Sequence, residues 1–274
     1  MRIPIRPRLW IPLLLGCSLL NIALPLARGA DLAGKREIIK KARAAYYSLR
    51  SHGLDEFEAS VQPNWRLVLK DQLAQDPAGA AEGLKMLNGI HFQVSLGRDG
   101  AVKITHHEDV APTNPKAAEG FQQIFSGMEQ AMSGFFDSWS PFMLTSPFPD
   151  ATTGAYTLEE VNHQYLLSYK DGPATIATTM SQDLLITEIK VDSLQFKSVL
   201  KPQFAKSAQG FLLAGYEANY QGAADGQSVQ LSVRIENQQI NGFQLPHKLN
   251  LDGSYQGTPF QMELAFSDYQ VKSH

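Results

Sequence analysis

The sequence predicts an α+β fold built on one highly curved antiparallel sheet, accompanied by about four helical segments. Three observations predict it. Strand-type alternation recurs at short spacing from Tyr156 to the end, with turn residues between the runs. The helical patterns are few and grouped rather than alternating with strands, which excludes a parallel βαβ fold. The chain has 274 residues, 43% apolar and 19% charged, enough for a single domain and too apolar for disorder. No mid-chain apolar stretch suits a membrane helix. The lone cysteine, Cys17, excludes a disulfide framework and a cysteine-ligated metal site.

Residues 1–29 read as an export signal. Arg2, Arg6 and Arg8 precede the apolar run Leu9 to Leu26, and Ala27 and Gly29 suit a cut before Ala30. Pro12 and Pro25 argue against an uncleaved anchor helix. Leu14-Leu15-Gly16-Cys17 offers an alternative, a lipobox whose cysteine is acylated and anchors the protein to a membrane. The expected location is therefore periplasmic or otherwise exported, with residues 30–274 as one domain. Without residues 1–29 the chain carries 20 basic and 27 acidic side chains, a net charge of −7. Nucleic acid is excluded as a partner, because phosphate binding needs a basic face.

Asp31 to Leu49 predicts a helix. Ile38, Ala42, Ala45 and Leu49 recur at helical spacing, Ile39 and Tyr46 widen the stripe, Asp31 caps, and Arg50, His52 and Gly53 stop it. Leu54 to Val61 alternates as a half-buried strand ended by Pro63. Arg66 to Asn88 reads as two short helices divided at Asp76-Pro77. Ile90, Phe92, Val94 and Leu96 alternate, Arg98-Asp99-Gly100 turns the chain, and Val102 and Ile104 return it as a hairpin.

Asn114 to Trp139 predicts a second helix, with Asn114 as cap and Pro115 at the first position. Phe121, Ile124, Phe125, Met128, Met132, Phe135, Phe136 and Trp139 form one apolar stripe. A core helix is the ordinary explanation. The richness in Met and Phe also suits a surface that adapts to a flexible apolar partner. Gly127 and Gly134 each weaken the helix by about 1 kcal/mol relative to Ala, which fits a lid that moves. Phe142 to Phe148 reads as a Pro-rich loop.

From Val161 to Tyr169 the chain alternates, and Lys170-Asp171-Gly172 turns. Ile176–Met180 and Leu184–Val191 follow as strands, and Leu194 to Phe204 reads as a crossover broken by Pro202. Phe211–Tyr220, the run from Val229 to Ile235, Leu245–Leu251 after an Asn241-Gly242 turn, and Phe260 to Phe266 complete the series.

His106-His107-Glu108-Asp109 is the one dense group of metal-capable side chains. Neighbours on a strand face opposite ways, so the expectation is a solvated strand end and no metal site. No HExxH, GxSxG or Walker-type loop is present, and no catalytic residues or cofactor are expected.

Late in the chain come Asp183-Leu184-Leu185-Ile186-Thr187-Glu188-Ile189 and the phrase Ile240-Asn241-Gly242-Phe243-Gln244-Leu245-Pro246-His247-Lys248-Leu249. A terminal strand then runs into Ser267-Asp268-Tyr269-Gln270-Val271. With the export signal, the first helix and the strand after it, this order resembles the periplasmic lipoprotein-carrier (LolA/LolB-like) superfamily of outer-membrane lipoprotein sorting. The resemblance implies a half-open β-barrel, with helices as a lid over an apolar cavity on its concave face. It implies a non-enzymatic protein whose partner is a lipid acyl chain or a lipoprotein. Phe121, Phe125, Met128, Met132, Phe135, Phe136 and Trp139 then line the cavity from the lid side. The segment 66–88 and the helix around Met128 depart from that pattern as insertions, and no cavity arginine finds a match. The alternative is an envelope assembly protein that uses the same fold to bind another protein.

Overall fold

The computed structural model describes residues 29–109, 115–150, 155–223 and 226–274. Cys17, nearly all of the export signal and the Asn114 cap lie outside these residues. The first helix, α1 (Gly29–Ala45), buries Ile39 and Ala42. It ends four residues before the expected Leu49, because Tyr46 and Tyr47 leave it for the sheet. Tyr46 forms a parallel bridge with Phe211, and Tyr47 N donates to Phe211 O at 3.0 Å. Gly210 makes this approach feasible. At φ +117° a side chain there is strained, and a Cβ would lie 2.7 Å from Ala45 O.

Strand β1 (Leu54–Pro63) buries Phe57, Ala59 and Val61, as its alternation predicts. The next segment forms three helices rather than two: α2 (Trp65–Val68), α3 (Lys70–Gln75) and α4 (Pro77–Leu87). The break at Asp76-Pro77 stands where expected, with the Asp76 carboxylate accepting from Gly79 N at 3.1 Å. β2 (Ile90–Leu96) and β3 (Val102–Glu108) form the predicted hairpin. Helix α5 (Pro115–Met143) then runs four residues past Trp139 and takes in Pro141.

The remaining strands are β4 (Tyr156–Val161), β5 (Gln164–Asp171), β6 (Ala174–Ser181), β7 (Ile186–Asp192), β8 (Phe196–Ser207), β9 (Gly210–Gly222), β10 (Ser228–Ile240), β11 (Phe243–Tyr255) and β12 (Thr258–Ser273). Two expectations fail here. Val161 to Tyr169 is not one strand. Asn162 and His163 both take positive φ, 51° and 61°, and make a two-residue hairpin turn. Leu194 to Phe204 is no crossover either, since β8 runs unbroken through Pro202. The ladder to β7 has already ended at Leu200, so the missing N–H of Pro202 falls beyond it.

All twelve strands form one antiparallel sheet in the order β3-β2-β1-β12-β11-β10-β9-β8-β7-β6-β5-β4. The predicted class, an antiparallel sheet with few helices, is what the chain forms. The sheet is open, with β3 and β4 at its two edges. The first strands join the last through β1 and β12, while the chain passes from one edge to the other by way of α5. Register places Phe57, Phe92, Leu167, Met180, Val233 and Phe266 on the same face, and α5 lies against it.

Candidate functional site

The stripe on α5 does what helical spacing demands. Phe125, Met128, Met132, Phe135, Phe136 and Trp139 are only 0 to 4% exposed. Phe125 stacks on His106 at 3.9 Å between ring centroids. Phe136 meets Phe266 at 6.2 Å, Trp139 meets Phe57 at 6.5 Å, and Phe142 meets Phe204 at 5.8 Å. These contacts reach from β3 to β8, so the helix crosses most of the sheet. Phe142 and Met143 belong to its last turn rather than to a loop. Phe121 stands apart from the other six. It is half-buried and faces α3 and α4 across an open groove of about 440 Å³, lined also by Leu69, Ala80, Met86, Leu87 and Ile124.

The helix is soft on its outer side. A Cβ added at Gly127 or Gly134 would meet nothing within 4 Å, so no neighbour requires glycine there. Pro141 has no N–H to offer the Asp137 carbonyl one turn earlier. The C-terminus is held by the segment after α1. Met143 O accepts from Leu49 N at 2.7 Å, and Leu144 O accepts from Arg50 N and from the Ser48 hydroxyl.

α5 leaves part of the inner face uncovered. Cross-strand register sets Tyr169, Ile176, Val191, Ser198, Tyr220 and Val229 in one row across β5 to β10. All but Ser198 are only half-buried, as is Leu231 in the next row. Beside this row stand Asp137 and Ser138 of α5. The Ser138 hydroxyl donates to Gly134 O at 3.0 Å and stands near Tyr216 and Tyr220. Asp137 keeps solvent contact, yet the surrounding protein desolvates its carboxyl and raises its pKa. Burial pushes the Tyr169 phenol up to about 12, and the nearby Asp171 charge adds to the shift. Inside, Trp139 Nε1 and Thr178 Oγ1 have no hydrogen-bond partner. Such groups are uncommon in a folded interior and call for an explanation.

The alternating patterns of these strands were legible in the sequence. Which of their rows stay half-buried was not, because the path of α5 decides it.

The histidine group divides as alternation requires, but the expectation of a solvated end fails for His106. It shares the inner face with Val102 and Ile104, stacks on Phe125, and its Nδ1 lies 3.0 Å from Glu129 Oε1 of α5. His107 points to the opposite face and is exposed. Directly across the hairpin from it stands His91, which the sequence reading left aside. The two rings stack at 4.8 Å, and His91 Nε2 lies 3.2 Å from both carboxylate oxygens of Asp109. The signal was present in the turn: a hairpin that pairs Leu96 with Val102 also pairs His91 with His107.

Comparisons with protein-family models, curated proteins and solved structures find no match. No helix among the described residues is long and apolar enough to cross a membrane.

Proposed function

We propose that this chain is an exported, non-enzymatic envelope protein that binds the acyl chain of a lipid or lipidated protein on the inner face of its sheet. In this reading the sheet is a half-open barrel like that of the lipoprotein carriers, and α5, a departure from their pattern, serves as its lid. The observation that carries the reading is the half-exposed apolar row from Tyr169 to Val229, bare beside a helix that carries a Met/Phe seam. Each acyl methylene buried there contributes roughly 0.8 kcal/mol.

The test is organic extraction and mass spectrometry of purified wild type, Val229→Arg and Met128→Arg, with circular dichroism and melting on the same samples. Near-stoichiometric lipid is expected in the wild type. Val229→Arg is expected to stay folded and come out empty. Met128→Arg separates two roles for α5. A folded, lipid-free variant identifies a lid that swings out, and an unfolded one identifies fixed core. A folded Val229→Arg that keeps its full lipid load overturns the row as the site. Intact mass of the protein from its host tests export: a start near Ala30 is expected, and a diacylated start at Cys17 replaces cleavage with anchoring.

A second reading has its own support. The rings of Phe135, Phe136 and Trp139 already fill the space beneath α5, as in a protein that uses its sheet for assembly and never loads lipid. A wild type that yields no lipid favours it.

A further inference from the structure

We propose that His91, His107 and Asp109 form a binding site for a late first-row divalent cation such as Zn²⁺, on the face of the β2–β3 hairpin opposite α5. Their ligand atoms all lie within 4.8 Å of one another. A tetrahedral ion with bonds of about 2.1 Å wants its ligands roughly 3.4 Å apart, so small side-chain rotations close the set. Two imidazoles and one carboxylate are a donor set for borderline ions rather than for Mg²⁺ or Ca²⁺.

The backbone holds the three in place. His91 and His107 are directly paired across neighbouring strands, so register sets their separation. Asp109 follows two residues after His107, on the same side. Its own N–H donates to Gly89 O at 2.9 Å, which pins the carboxylate beside His91. Gly89 has no side chain to displace it, and a Cβ there would already sit 3.4 Å from Asp109 Oδ2. His91 Nε2 and the Asp109 carboxylate, 3.2 Å apart at each oxygen, are the pair that the ion bridges. The remaining coordination positions face solvent and take water.

The experiment is calorimetric titration of ZnCl₂ into the chelator-stripped full chain. One ion per chain is expected. His91→Ala and His107→Ala are each expected to weaken binding at least tenfold, while His247→Ala, an exposed histidine elsewhere, leaves it unchanged. Cu²⁺ as a spectroscopic probe adds a readout independent of stability. Its electron paramagnetic resonance is expected to show two nitrogen donors in the wild type and one in His107→Ala. Absence of zinc binding overturns the site, as does binding that survives the His91→Ala/His107→Ala double variant.

Discussion

Tyr46 ties three parts of the chain together with one hydroxyl. Its Oη donates to Leu184 O at 3.0 Å and accepts from Ile186 N at 2.7 Å, while its ring packs against Phe148, Phe204 and Phe211. Leu184 sits at φ 65°, a conformation costly for a leucine, and the hydroxyl bonds its carbonyl. Tyr46→Phe keeps the ring but leaves a buried N–H unpaired, so we expect a loss of about 1 to 3 kcal/mol by urea denaturation. A change within 0.5 kcal/mol would mean that water replaces the hydroxyl. Asp137 gives the opposite sign. Its folded pKa is raised by burial, so its contribution is intact below the ordinary carboxylate value and lost as pH rises through the folded one. Asp137→Asn is therefore expected to raise the melting midpoint at pH 7 and to leave it nearly unchanged at pH 3. Equal effects at both values would remove the charge from the explanation.

At the scale of elements, α5 is anchored along one side and weak along the other. Its seam is buried from Phe125 to Trp139, yet Gly127 and Gly134 face open space and Pro141 lies in the last turn. Packing does not ask for these residues. Gly127→Ala and Gly134→Ala are each expected to stabilise the protein by up to about 1 kcal/mol, since alanine fits and restricts the unfolded chain. If α5 moves to admit an acyl chain, the double variant also exchanges a fluorescent fatty acid more slowly. Stabilisation with unchanged exchange would leave α5 a fixed element and send the ligand in by the bare row alone.

At the scale of the molecule, phenols partly or wholly withdrawn from water dominate the shifted ionisations. Tyr46, Tyr47, Tyr169, Tyr216, Tyr220 and Tyr269 all have folded pKa values raised by burial. A raised folded value means that stability is intact below the ordinary phenol value of 10.0. It is lost as pH climbs through that value, where the unfolded chain ionises first. The urea midpoint is expected to hold from pH 8 to 9.5 and to fall steeply above 10. Tyr216→Phe is expected to make that fall shallower, and an unchanged slope would show that other groups govern it. The carboxylates act at the other end. The Lys248 ammonium 2.7 Å from Glu263 holds that carboxyl below its usual range, so its contribution is present at neutral pH and is lost on acidification.

The sequence by itself determined the elements whose signals are local. Alternation set β1 and the β2–β3 hairpin, Asp76-Pro77 set the helix break, Asn241-Gly242 set a turn, and the 3.6-residue stripe set α5 and its buried face. It failed where two local signals conflict. At Asn162-His163, continued alternation hid a turn whose left-handed residues lack a glycine. At Pro202, a strand breaker is tolerated because one neighbour has already ended. Tertiary structure alone decided the end of α1, where pairing of Tyr46 with Phe211 outweighs helical periodicity. It also decided the joining of β1 to β12 across more than two hundred residues, and the route of α5 over the sheet. That route settles which apolar rows are covered and which stay bare, and the hairpin register settles which histidines meet. Such contacts depend on the distance between chain segments in space, which no short window of residues encodes.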